Sequence, residues 1–247
     1  MTDVSVGSLR HPGQLVFEQV NWRVEGGAFW AIGGLHACGK TDFMALAAGL
    51  MRPIGGSYQV FGRELDTGFE PDLLETRRRL GLVFDGGHVL RHLTVAENVA
   101  LPLCYHREVP MDEAVMDIVP LLHLTGLAAQ ADQPATTLTR NWQQRVGLAR
   151  ALAIAPDVLL LDSPLSGLDP RDAAWWLEFL TQLSAGHAEF GGRPMTLVVS
   201  CDDLRPWKGR ARQFAVLRGR RFVPLPDDSQ VRAADELLQD LIGPLTA

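Results

Sequence analysis

No stretch of this chain approaches the roughly 20 consecutive apolar residues that a membrane-crossing helix needs. The first residues carry Asp3 and contain no apolar core of signal-peptide length, so the chain reads as soluble and cytoplasmic. Cysteine is scarce. Cys38, Cys104 and Cys201 are odd in number and widely spaced, which fits reduced thiols and excludes a disulfide framework or a zinc site. Positive charge is not in excess: the formal net charge is −6, which argues against a general nucleic-acid binder. The arginine clusters at Arg77–Arg79 and Arg218–Arg221 read as solvated faces. The chain has no internal repeat and no low-complexity tract.

What is present is a globular composition of 247 residues, 47% of them hydrophobic, enough for one large α/β domain or a core with a smaller lobe. Residues Gly34-Leu35-His36-Ala37-Cys38-Gly39-Lys40-Thr41 fit G-x-x-x-x-G-K-[ST]. They follow the apolar run Phe29–Ile32 and open a helical stretch from Thr41 to Leu50. Strand, glycine loop and helix form the context in which this pattern binds phosphate. Loop amides and the positive helix end face anionic oxygens, Lys40 reaches the outer phosphates and the Thr41 hydroxyl faces Mg²⁺.

The first ~35 residues read as short strands and turns, with strands at Leu15–Phe17 and Val20–Val24 and a turn at His11-Pro12-Gly13. Ser57–Phe61 and Leu80–Phe84 are further strands. Helical signals fill 85–155. Thr94-Val95-Ala96-Glu97 is a capping box, Pro110–Leu122 a helix, and Asn141–Ala155 an amphipathic helix. Val158–Leu161 is a fully apolar strand of the kind that sits inside a parallel sheet. Asp169-Pro170-Arg171-Asp172 starts a helix that runs to about Leu183, in which Trp175, Trp176, Phe179 and Leu180 read as packing residues. Met195–Val199 is a buried strand, Ala211–Leu217 with Arg221–Pro224 a hairpin, and 231–242 a terminal helix. Alternating strands and helices imply a mostly parallel sheet. Asp162, at the end of the Val158–Leu161 strand, is placed to hold Mg²⁺ through water beside the phosphate loop.

The order of these elements resembles an ABC-transporter ATP-binding subunit over nearly the whole chain. Five stretches carry the resemblance: Gly34–Thr41; Leu82–His88, similar to the Q-loop; Leu138–Val146, at the place of the signature; Leu159–Pro164, similar to Walker B; and Ser166–Pro170, a D-loop. The run Leu148-Ala149-Arg150-Ala151-Leu152 followed by Pro156 strengthens it. Leu93–Leu103 and Gly86-Gly87 resemble the Mla/Mce-type lipid-transport ATPases within that family. The resemblance implies a RecA-like P-loop α/β fold with an N-terminal antiparallel β part and an inserted α-helical subdomain. Residues 1–84 and 157–225 would form the nucleotide-binding core, 85–156 the signature subdomain and 226–247 a tail.

The chain departs from that pattern at the chemistry. By the resemblance, Ser163 stands in place of the catalytic Glu, Cys201 in place of the H-loop His and Asp85 in place of the Q-loop Gln. A serine hydroxyl cannot act as the general base that a carboxylate supplies. In the signature, Thr139 can imitate Ser, but Arg140 and Asn141 replace two glycines and Trp142 replaces Gln. Asp42, near the α-phosphate, would repel nucleotide, and His11 takes the place of an adenine-stacking aromatic. The resemblance assigns nucleotide contacts to His11, Gly34, Leu35, His36, Ala37, Cys38, Gly39, Lys40, Thr41 and Asp42. It assigns Mg²⁺ to Thr41, Asp162 and Asp85, and contacts with a partner's site to Thr139, Arg140, Asn141 and Trp142.

These departures read as a pseudo-ATPase that keeps the fold and binds ATP and Mg²⁺ without turning it over. Its partners would be a transmembrane permease, docked near Asp85–Tyr105 and holding it at the cytoplasmic face of the inner membrane, an intact ATPase paralogue forming a heterodimer, and an MCE-type lipid-binding protein; nucleic acid is not among them. Two alternatives stand beside it. One is an active ATPase with Asp85 or Asp202 as base, and the other a scaffold subunit that binds no nucleotide.

Overall fold

The computed structural model describes residues 1–11, 13–64 and 71–225; the helix expected at 231–242 and the tail 226–247 lie outside them. In chain order the elements are β1 (Thr2–Gly7), β2 (Leu15–Val20), β3 (Phe29–Gly34), α1 (Lys40–Ala47), β4 (Gly55–Ser57), β5 (Gln59–Val60), β6 (Arg63–Glu64), α2 (Pro71–Arg78) and β7 (Leu80–Val83). Four helices follow: α3 (Val95–Arg107), α4 (Met111–Asp117), α5 (Val119–Leu124) and α6 (Arg140–Leu152). The chain then returns through β8 (Val158–Leu161), α7 (Pro170–Ala185), β9 (Thr196–Cys201), β10 (Gln213–Arg218) and β11 (Arg221–Leu225).

The core is a six-stranded sheet ordered β11-β10-β3-β9-β8-β7, with β10, β3, β9, β8 and β7 mutually parallel and β11 antiparallel at the edge. β2, β1 and β4 form a separate antiparallel sheet. This is the P-loop α/β architecture expected, with the antiparallel part at the N-terminus and α3–α6 inserted between β7 and β8. The central strands are apolar on both sides because both faces are covered; every residue of β9 is buried. One face packs against α7 through Trp176, Phe179 and Leu180 and against the inserted helices. The other packs against α1 and the antiparallel sheet, where Phe43 stacks on Phe222 at 5.3 Å and Trp22 lies 5.3 Å from Phe43. The register sets the site: β3 and β8 both end at the same edge of the sheet, so Gly34 and Asp162 arrive together.

The expected capping box is formed: Thr94 Oγ1 accepts from Glu97 N at 3.2 Å and Glu97 Oε2 from Thr94 N at 2.8 Å. Asp169 caps α7 by accepting from Asp172 N at 2.8 Å. Three expectations are corrected. The strand at 20–24 stops at Val20, because the Asn21 side chain accepts from Asp3 N at 3.0 Å where a ladder carbonyl would be needed. The strand at 57–61 is divided between β4 and β5, since Tyr58 turns inward and donates its hydroxyl to Ala47 O. The helix at 110–122 is two helices, α4 and α5. Ile118 leaves helical geometry at φ −93°, ψ 1°, and Pro120 has no N–H to carry the ladder on.

The loop after β7 is fastened to the inserted helices by close backbone contact and by buried polar groups. A Cβ on Gly147 of α6 would lie 2.7 Å from Gly87 Cα, so two glycines allow helix and loop to touch. Arg150 donates to Gly87 O at 2.7 Å and His88 O at 3.1 Å. The fully buried Asn98 donates to Leu90 O, Leu93 O and Thr94 O and accepts from Leu90 N at 2.8 Å. Ala at position 147 would raise intrinsic helix propensity by about 1 kcal/mol. The steric contact dominates, so Gly147→Ala is expected to lower stability by about 1–3 kcal/mol in denaturant unfolding.

Candidate nucleotide site

β3 delivers the chain to Gly34, and the loop turns back through two left-handed positions, Ala37 at φ 60° and Gly39 at φ 99°. Gly39 is required sterically as well: a Cβ there would lie 2.3 Å from Val16 Cγ1, so β2 closes the outer side of the loop. Ala37 holds a conformation that costs a residue with a Cβ about 1–2 kcal/mol. α1 begins at Lys40 with no side-chain cap, leaving its first amides directed at the loop.

Lys40 is 7% exposed. Its Nζ donates to Gly34 O at 2.7 Å, Leu35 O at 2.8 Å and Asp202 Oδ1 at 2.7 Å. An ammonium has three N–H groups, so all of its donors are used. Beside it, Thr41 Oγ1 donates to Asp162 Oδ2 at 2.6 Å. Ser200 Oγ donates to Asp162 Oδ1 at 2.7 Å and accepts from Ser163 N at 2.9 Å. Asp162 is 2% exposed. Paired hydroxyl and carboxylate oxygens at the positive end of a helix are hard donors that fit Mg²⁺. Among the described residues no group of three or more His, Cys, Asp or Glu is placed to hold a metal. Thr41 and Asp162 are the donors this chain offers, and phosphate oxygens and water would complete the shell.

The substituted positions fall into two groups. At the core, Ser163 is held at φ 49° by its amide bond to Ser200, at the end of the Asp162 strand. Cys201 is buried and its thiol lies 3.8 Å from Ile32 O; burial pushes its pKa far up, so it stays a neutral thiol. Cys38 sits half-buried in the loop, and burial, only partly offset by Lys40, raises its pKa too. His36 and Leu35 are exposed at the loop tip. Asp42 does not face the loop interior. Its Oδ1 accepts from Leu9 N at 2.6 Å. That bond also ties the Ser8–Gln14 turn, and exposed His11 within it, to the start of α1.

In the signature, Thr139 is the exposed residue before α6, and its side chain makes no capping bond. Arg140 forms an ion pair with Asp85, so the structure gives Asp85 an arginine for a partner. Asn141 is buried and accepts from Trp176 Nε1 at 3.3 Å. Trp142 packs on Arg145, whose guanidinium carbon lies 4.6 Å from its ring and 3.7 Å from that of Trp175. Arg145 also pairs with Asp172 at 3.1 Å; burial lowers its pKa and Asp172 opposes that. Asn141 and Trp142, expected to face a second subunit, each have a contact within their own chain, and Trp142 is half-buried. Sequence reasoning missed Ser200 as the bridge to Asp162, and saw Asp202 only as a possible base.

A cavity of about 2230 Å³ lies elsewhere. It opens at the opposite edge of the sheet, where β3, β8, β9 and β10 begin, and holds neither the glycine loop nor Asp162.

The family profile described as ABC transporter matches residues 17–166. The chain is 32% identical over 209 residues to the methionine import ATP-binding protein MetN of Rhodopseudomonas palustris, covering 85% of this chain and 54% of that protein. It is 34% identical over 200 residues to MetN of Cereibacter sphaeroides, covering 81% and 55%. It therefore spans about half the length of these curated relatives. Among solved structures, a dimeric ATP-binding cassette in a post-hydrolysis state with ADP and Pi superposes with a TM-score of 0.77 at 25% identity, covering 92% of this chain and 98% of that one. A cassette from Clostridium perfringens, part of a CbiONQ transporter complex, shares the fold at TM-score 0.76 and 21% identity, covering 99% and 94%. The relatives named here are amino-acid importers, so the expected lipid-transport subtype finds no support among them.

Asp42→Ala removes the acceptor for Leu9 N and is expected to cost about 0.5–1.5 kcal/mol. Hydrogen exchange at the Leu9 amide should accelerate in Asp42→Ala and stay slow in Asp42→Asn, which keeps an oxygen acceptor.

Proposed function

The chain belongs to the ABC transporter family, and on that premise we propose that it is the ATP-binding subunit of a membrane transporter which holds nucleotide but turns it over at a negligible rate. The observation that carries this reading is the contrast inside one site. Lys40, Thr41 and Asp162 are brought together for phosphate and Mg²⁺, whereas the residue after Asp162 is Ser163, with its amide committed to Ser200 and no carboxylate to polarise water. Loss of a general base costs about 10²–10⁴ in rate, and a neutral, buried Cys201 adds no compensating cation.

The residues that would hold the nucleotide are Gly34–Thr41, through loop amides, the α1 terminus and Lys40, with His11 beside the base. Mg²⁺ would sit between Thr41 and Asp162. When bound, Mg-ATP supplies the charge that draws two such subunits together. This chain's own residues bind and orient it. Two impaired sites facing each other could not drive transport, so an intact ATPase subunit is the partner that completes the motor. No helix among the described residues is long and apolar enough to cross a membrane, which makes attachment through a permease the consistent route to the membrane. The names of the relatives favour an amino-acid cargo such as methionine, and the MCE-type partner is not carried forward.

One observation favours the scaffold alternative: every Lys40 donor is already satisfied within the chain. Calorimetry decides between them. Mg-ATP is expected to bind the full chain in the micromolar-to-millimolar range and to lose that binding in Lys40→Ala, while phosphate release stays at the buffer background. Absence of binding at millimolar ATP leaves the scaffold, and Lys40-dependent turnover leaves an active ATPase.

A further inference from the structure

Lys40 is the group that must meet the outer phosphates, yet its three donors already have three acceptors. Two of these, Gly34 O and Leu35 O, belong to the loop itself. The third, Asp202 Oδ1, comes from the turn after β9, 162 residues away in sequence, and carries the only negative charge of the three. The geometry points to Asp202 as a built-in anion: its carboxylate occupies the phosphate-binding donor of Lys40, and nucleotide must displace it. This deepens the nucleotide-holding reading above and rests on it.

The turn is built to hold that carboxylate in place. Asp203, next in the chain, is clamped by Arg205, whose Nε lies 2.9 Å from both carboxylate oxygens and whose Nη2 lies 2.7 Å from Oδ2. Leu204 is fully buried and lies against Gly33, where a Cβ would sit 3.0 Å from Leu204 Cγ. Asp202 therefore projects from an anchored backbone toward the loop. Its side chain is 51% exposed, whereas that of Lys40 is 7% exposed. Of the three acceptors, the two carbonyls are fixed by the loop that Lys40 closes, and Asp202 is the one that can swing into solvent. A phosphate entering the loop replaces one anion with another at the same ammonium, so the resting pair lowers apparent nucleotide affinity in proportion to its own strength. The residue before it, Cys201, is a neutral, buried thiol and offers Lys40 no competing charge.

The test uses the full chain, Asp202→Ala and Asp202→Asn. The sequence contains two lysines, Lys40 and Lys208, so acylation by an amine-reactive ester, read by peptide mass spectrometry, reports on Lys40 with Lys208 as internal reference. In Asp202→Ala, Mg-ATP is expected to bind about five- to tenfold more tightly and the Lys40:Lys208 acylation ratio to rise, with Asp202→Asn intermediate. Unchanged or weaker ATP binding in Asp202→Ala, where the unmodified chain does bind, overturns the proposal. If none of the proteins binds ATP, the nucleotide-holding reading fails on its own and acylation decides the inference: a raised Lys40 ratio sustains Asp202 as the lysine's anion, and an unchanged ratio overturns it.

Discussion

The burial of one ammonium group organises the glycine-loop edge of this molecule. Lys40 is 7% exposed, and a cation so placed is costly unless each N–H finds an acceptor. The loop supplies two by curling its own carbonyls inward, which requires the left-handed turns at Ala37 and Gly39, and β9 supplies the third. That requirement fixes where β3 ends, where α1 begins and how the turn after β9 is aimed. It also places Thr41 against Asp162, because α1 starts one residue earlier. The glycine loop, the acid at the end of β8 and the β9 turn therefore form one connected polar cluster, in which Lys40 pairs with Asp202 and the Asp162 carboxylate is met by the hydroxyls of Thr41 and Ser200.

The substitutions around this cluster form a pattern. At four places where the family resemblance implies a group aimed at nucleotide or at a second subunit, this chain has a side chain with a contact inside the chain. Arg140 is taken by Asp85, Asn141 by Trp176, Trp142 by Arg145 and Asp42 by Leu9 N. The chain keeps the cassette fold, with a TM-score of 0.77 to one chain of an ATP-binding cassette bound to ADP and Pi. The contacts leave few free side chains for the steps that need a base or an open signature backbone. A fold can be kept by its buried strands and caps while its site chemistry drifts, since the two depend on different residues.

Much of the fold was legible because its signals are local. The Gly34–Thr41 pattern, the Thr94–Glu97 box, the Asp169 cap and the apolar run Val158–Leu161 each state their structure within a few residues. The break between α4 and α5 was also legible in principle, in Pro120. What sequence reasoning could not supply were contacts between distant strands and loops. Ser200 meets Asp162 across 38 residues and Lys40 meets Asp202 across 162, and no spacing rule connects such pairs. Side-chain direction was the other gap. The contacts of Asp42 with the Leu9 amide and of Trp142 with Arg145 follow from tertiary packing that no local pattern states. The lipid subtype rested on Leu93–Leu103 and Gly86-Gly87, which the broader likeness to methionine import ATP-binding proteins outweighs.

The central claim is that nucleotide is held without being consumed. Its most direct test is the fate of bound ATP. The full chain is loaded with Mg-ATP labelled on the γ-phosphate, separated from free nucleotide by rapid desalting, and incubated before the retained nucleotide is resolved. Recovery of intact ATP at a constant fraction over an hour is the predicted result. Steady conversion of the retained ATP to ADP and phosphate, abolished in Lys40→Ala, would contradict the account.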